Sequence, residues 1–169
     1  MTELEFEQWI QDPYLISTDQ ERLDVAFIHG YITAAYWARG RFCEQVQRSI
    51  EGSIAFGLYH NTEQIGFARV ITDYATTAHL ADVFVIDAHQ GKGLGKRLIE
   101  AALNHPRVRS IPKWTLSSSD AQSLYYRYGF KPLSDPGSLM ERVSANSDTL
   151  STIIRGEPGE ARPYFQSSS

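Results

Sequence analysis

The chain has 169 residues, 42% of them hydrophobic and 21% charged, with 20 acidic against 16 basic side chains and a formal net charge of −4. A chain of this length buries roughly 70% of the surface it exposes when unfolded, enough for one substantial core. The composition excludes a bilayer span, since no apolar run approaches the roughly 20 residues required, and argues against nucleic acid, since no Lys/Arg stripe interleaves with aromatics. The start, Met1-Thr2-Glu3-Leu4-Glu5-Phe6-Glu7, is acidic where a secretory signal is basic and then apolar. Cys43 is the only cysteine, so neither an intramolecular disulfide nor a cysteine-based metal site can form. A cytoplasmic protein with no metal is expected.

In chain order, residues 1–12 read as a polar leader and Tyr14-Leu15-Ile16-Ser17 as a first strand. Thr18 or Asp19 then caps a helix running through Leu23, Phe27 and Tyr31, with His29 near its later turns. Residues 32–40 are rich in aromatics, and Phe42, Val46 and Ile50 mark a second helix at four-residue spacing. Two strands, Ile54 to Tyr59 and Gln64 to Asp73, form a hairpin about the turn His60-Asn61-Thr62-Glu63. His79 to Ile86 is the fourth strand, where Asp82 alternates with Leu80, Phe84 and Ile86 and interrupts an apolar face. A helix carrying Leu94, Leu98, Ile99 and Leu103 follows, and His105-Pro106 stops it. Trp114-Thr115-Leu116 is the fifth strand, a helix surrounds Tyr125, Phe130 opens the next strand, and Met140-Glu141-Arg142-Val143 reads as the last. Residues 1–143 are expected to form one domain, with 144–169 a loosely docked or mobile tail.

The most informative stretch joins the fourth strand to its helix: Gln90-Gly91-Lys92-Gly93-Leu94-Gly95-Lys96. Glycines at alternate positions let the backbone turn tightly and bring free N–H groups to an anion at the positive end of a helix dipole. The spacing does not fit a Walker loop, because Gly95-Lys96 is followed by Arg97 and no hydroxyl is available for magnesium. Nor does it fit Gly-x-Gly-x-x-Gly in either register, since Leu98 and Lys96 stand where the third glycine belongs.

What is present, Gln90-x-x-Gly93-x-Gly95, resembles the acetyl-CoA pyrophosphate loop of the GNAT family of N-acetyltransferases. Some thirty residues on, Ala121-Gln122-Ser123-Leu124-Tyr125-Tyr126-Arg127-Tyr128-Gly129-Phe130 is similar to that family's second signature, Ala-x-x-Leu/Phe-Tyr-x-x-x-Gly-Phe. Ser119 or Asp120 can cap this helix, and Gly129 suits the left-handed position that ends it. The resemblance spans residues 80 to 132. It implies an α/β (α+β) fold with a mixed central sheet of about seven strands, helices on both faces and a splay between strands four and five. It further implies acetyl-CoA as cosubstrate. The pantetheine arm would pair with the backbone of Val83, Phe84 and Val85. Gln90, Gly91, Lys92, Gly93, Leu94, Gly95 and Lys96 would surround the pyrophosphate, with Ser119 and Tyr125 completing the cofactor site. A homodimer is compatible with it.

The reaction the resemblance implies is attack of a neutral amine on the thioester. The amine must lose a proton, the oxyanion needs a donor, and the departing thiolate benefits from protonation. Tyr125 stands where the family's general acid stands, and a phenol with its ordinary pKa near 10 is protonated at neutral pH. Asp82 is the first candidate base; His29, Asp73 or a chain of waters are the others. For the acceptor, Tyr36 and Trp37, with His29, offer an aromatic wall that can hold a cation, whereas Arg39 and Arg41 suit a carboxylate; Tyr31 and residues 134–139 also belong to the segments that would surround it. A small-molecule primary amine is the expected acceptor. A protein lysine or N-terminus, or a silent CoA-binding module, is the alternative.

Overall fold

The run Ile54-Ala55-Phe56-Gly57-Leu58-Tyr59 has no charged side chain, and the structure buries it on both faces as the centre of a sheet. A computed structural model describes residues 6–35 and 39–143. Among these described residues six strands lie in sequence order: β1 (Gln8–Gln11), β2 (Tyr14–Ser17), β3 (Ile54–His60), β4 (Glu63–Thr72), β5 (Thr77–Val85) and β6 (Lys113–Leu116). The first five pair antiparallel and β6 runs parallel to β5. Helices α1 (Val25–Ala34) and α2 (Cys43–Glu51) cover one face, where Ile28, Ile32, Val46 and Ile50 pack on Ala55, Phe67 and Phe84. Helices α3 (Leu94–Asn104) and α4 (Gln122–Tyr126) cover the other, where Leu94, Leu98, Ile99 and Tyr125 share a core with Phe56, Leu58, Leu80, Val83 and Val85.

The strand count departs from expectation at both ends. The supposed leader contributes β1, whose Trp9 half-buries its ring against Phe56. Phe130 and Met140 to Val143 form no strand, for residues 131–143 are exposed throughout and contain Pro132 and Pro136, which lack the N–H a ladder needs. The expected first helix is also divided. Asp19 caps only a 3-10 turn, Gln20–Arg22, and Asp24 restarts the chain by accepting from the Phe27 N–H at 2.9 Å. A short acid side chain competes with the helix for backbone donors and wins at a cap. Residues 144–169, including the expected tail, lie outside the described residues.

Two irregularities position the site. Pairing of β5 with β6 runs only from Thr77↔Lys113 to Leu80↔Leu116, while β5 continues to Val85. β6 ends at Leu116, so beyond Leu80 the expected strands four and five, which are β5 and β6 here because β1 precedes them, no longer pair. Opposite, Phe67 pairs with Phe84 and Arg69 with Ala81, so Ala68 alone faces both Asp82 and Val83. This is a β-bulge, with Asp82 at φ 51°, a left-handed conformation that aspartate tolerates better than most residues. The bulge corrects the expected alternation: Leu80 faces α3 and α4, but Phe84 faces α1 and α2.

Candidate active site

Beyond Leu80 one edge of β5 has no strand beside it among the described residues. The Phe84 carbonyl points to β4, 2.7 Å from where a Cβ on Gly66 would lie, and the Ile86 N–H donates to Ile65 at 2.9 Å. Strand alternation then turns the backbone groups of Val83 and Val85 toward the side that β6 has left. The Val85 carbonyl there accepts from Gln90 Nε2 at 2.9 Å and from the Tyr31 hydroxyl at 3.4 Å. Gln90 thus ties the strand end to the turn that follows.

That turn passes through a short 3-10 segment, Asp87–His89, and enters α3 with Gly91 and Gly93 both at φ 76°. A Cβ at either glycine would meet nothing within 4 Å, so the dihedral, not crowding, demands glycine. Gly95 differs from the other two, for it lies inside α3. The first α-helical bond runs from the Arg97 N–H to the Gly93 carbonyl at 3.2 Å, which leaves the amides of Leu94, Gly95 and Lys96 without a helical acceptor. Leu94 sends its side chain into the core, so only its amide can serve a ligand. Lys92 is exposed, and Lys96 and Arg97 are half-buried at the rim. An open cradle of amides beside an unpaired strand edge fits a diphosphate carrying an extended arm.

Tyr125 lies on α4, in the core layer that also holds Val83, Val85 and Leu94. Its ring is buried edge-on to Phe130 at 5.9 Å, and burial, helped by the charge of Asp120, pushes the phenol above the usual tyrosine range. A cleft of about 160 Å³ lies against it, lined by Trp114, Thr115, Leu116, Phe130 and Pro132. Neither Ser119 nor Asp120 is the cap of α4; the Ala121 N–H donates to Ser118 Oγ at 3.0 Å, and Ser119 is exposed in the same connection. Gly129 takes φ 85°, as its place after the helix requires.

On the opposite face the bulge presents Asp82, whose side chain is 4% exposed. Arg69 Nε donates to its Oδ2 at 2.6 Å, and Arg41 Nη1 lies 3.4 Å from both oxygens. Nearby, His29 Nε2 is 2.8 Å from the Arg41 carbonyl, which fixes the connection between α1 and α2. His79 Nδ1 is 2.8 Å from Thr115 Oγ1 and clips β5 to β6 one pair before their ladder ends. Burial first, and Arg69 second, lower the pKa of His79. Tyr31 stacks on Phe84 with centroids 4.0 Å apart, and burial with Asp87 raises its phenol.

The structure therefore sets Val83, Val85, Leu94 and Tyr125 in one core layer, ties the turn after β5 to the Val85 carbonyl through Gln90, and brings Asp82 and His29 together through Arg41 on the sheet's other face. Tyr36 and Trp37 lie outside the described residues. Asp73 closes the β4–β5 turn, accepting from the Ala75, Thr76 and Thr77 amides. Arg69 was not among the expected site residues, although a lone cation within Ile65-Gly66-Phe67-Ala68-Arg69-Val70-Ile71 is a signal that a buried partner exists.

A family model described as an acetyltransferase (GNAT) domain matches residues 51–132. A Xanthomonas campestris crystal structure, provisionally assigned as a GNAT-family acetyltransferase, is 43% identical with a TM-score of 0.75, covering 78% of this chain and 93% of that one. A Gibberella zeae protein provisionally named acetyltransferase FG08082 is 29% identical over 129 residues, 62% of this chain and 73% of its own. Histone acetyltransferase TAP1 of Glycine max is 40% identical over 68 residues, which are 40% of this chain but only 29% of that protein. The chain belongs to the GNAT family of acetyltransferases. It is accordingly an acyl-transferring enzyme of the N-acetyltransferase type, whose family draws the acetyl group from acetyl-CoA.

Proposed function

We propose that the protein acetylates a primary amine on a small molecule, with Tyr125 as general acid. The observation that carries this reading is that the open β5 edge, the free amides at the start of α3 and the buried phenol of α4 belong to one layer of the sheet, where Val83, Val85, Leu94 and Tyr125 share a core. Acetyl-CoA supplies an activated thioester. The amides of Leu94, Gly95 and Lys96 hold the diphosphate, and Val83 and Val85 offer backbone partners to the arm. The amine nitrogen forms a bond to the acetyl carbon as the carbon–sulfur bond breaks, with the Val85 N–H placed to receive the oxyanion. The nitrogen gives up a proton, and Tyr125 passes one to the departing sulfur before taking another from water. Its raised pKa keeps the phenol protonated at neutral pH.

Asp82, the first candidate for the base, already has both oxygens engaged by guanidinium donors. Our reading gives it the work of positioning Arg41 and Arg69 and sends the amine proton out through water. Tyr125→Phe tests the acid role: thiol release should fall roughly 100- to 1,000-fold while CoA binds as before. Unchanged turnover would remove the tyrosine from the chemistry, and failure of every amine in a panel of amino acids, polyamines, arylamines, aminoglycosides and peptides would count against acetyl transfer to a small molecule.

A further inference from the structure

Two arginines share one carboxylate on the α1–α2 face of the sheet. Arg69 is held by a short bond to Asp82 and its side chain is 11% exposed; Arg41 makes only two long contacts at 3.4 Å and its side chain is 34% exposed. Neither arginine has a second acidic partner among the described residues. The chain as a whole carries a formal charge of −4, so a local excess of positive charge runs against its overall balance. Taking a guanidinium out of water without a full counter-charge is costly, and an anion that completes the pairing recovers that cost.

The location gives this excess a meaning. Asp82 immediately precedes Val83, the start of the open strand edge of β5, and Arg41 belongs to the connection between α1 and α2. His29 holds that connection by its contact with the Arg41 carbonyl. Arg69 is thus a fixed cation at the sheet surface. Arg41 is a second one, loosely engaged, with a fork of donors able to turn from Asp82 to a ligand.

We infer that the acceptor bears a carboxylate, and that Arg41, backed by the Arg69–Asp82 pair, binds it. The proposal rests on the acetyltransferase reading for the proximity of this anion site to a reacting thioester; the anion site itself rests on the arginine geometry. Guanidinium and carboxylate meet as planar forks, so the acceptor is an amino acid or a similar small amine in which nitrogen and carboxylate are a few bonds apart.

The test uses the full chain, with acetyl-CoA for turnover and with CoA bound for the resonances, and pairs each amino acid with its carboxamide and with the corresponding aminophosphonate. Thiol release measures turnover, and the side-chain N–H resonances of Arg41 and Arg69 report binding independently. The carboxylate should be preferred over the carboxamide by roughly 10- to 100-fold in kcat/KM, mainly through KM, and Arg41→Gln should bring the ratio near unity. The Arg41 resonance should move with the carboxylate and not with the amide. Equal turnover of the pair, a preference for the amide or the phosphonate, or a ratio untouched by Arg41→Gln would overturn the proposal. If no thiol is released yet the Arg41 resonance still moves with carboxylates, the anion site stands and acetyl transfer falls. If neither responds, the proposal falls.

Discussion

The two faces of the sheet use different materials for recognition. On the α3–α4 face the parts that would meet a cofactor are mostly main chain: the open edge of β5, two glycines at φ 76°, and three amides at a helix start. On the α1–α2 face they are side chains, Arg41, Arg69, Asp82 and His29, drawn from four separate places in the chain. A backbone cradle depends on local dihedrals and tolerates change in its surroundings. A side-chain cluster depends on every strand and helix that positions it, so it is the part of such a fold free to specialise and the part most easily broken.

The sharpest way to break the contrast is to remove Asp82. Asp82→Leu leaves Arg69 nearly buried without its counter-charge and should cost about 3–5 kcal/mol in chemical denaturation. A loss below about 1 kcal/mol would mean that the arginines find water instead, and that the α1–α2 face is not organised by this pair. A finer probe compares two glycines of the turn. Gly93→Ala places a side chain at φ 76° and should cost about 1–2 kcal/mol, whereas Gly95→Ala, inside the helix, should stabilise by up to about 1 kcal/mol. Calorimetry with CoA then separates strain from crowding: weakened binding by the second variant alone would mean that its Cβ intrudes on the diphosphate.

The smallest expected effect concerns pH. Burial lowers the pKa of His79 and of His105, the latter packed against Trp9 and Phe56. Between their lowered values and the ordinary value near 6.5 the unfolded chain binds more protons than the folded one, so stability is complete above about pH 6.5 and declines as pH falls through the lowered values. Tm should drop between pH 7 and 5, and His105→Gln should make that drop shallower. An unaltered slope would take His105 out of the linkage.

The contrast also explains what could be read from the sequence. The turn through Gly91 and Gly93 and the helix end at Gly129 were legible because glycine dihedrals are set by neighbours in the chain. The bulge was not. A strict alternation through Leu80, Asp82, Phe84 and Ile86 is the natural reading of β5, and only the mismatch with β4 reveals that Ala68 faces two residues. The same step hid Arg69, whose partner lies 13 residues away on the next strand. Asp24 was overlooked as a helix start because Asp19, five residues earlier, offers an equally good cap. At the chain's other end, Met140 to Val143 has strand-like composition, but nothing among the described residues pairs with it.

The extra residue at Asp82 acts as a phase shifter in β5. Upstream, the strand is read by β6; downstream, its freed edge is available to a small molecule, and the faces presented to the two helical layers have exchanged parity. Shortening the chain by this single position would restore regular pairing with β4, leave Val83 opposite Ala68 on the α3 layer, and take away the carboxylate that Arg41 and Arg69 share. The bulged position thus adds a carboxylate to the α1–α2 face without disturbing the register of the strand edge that follows it.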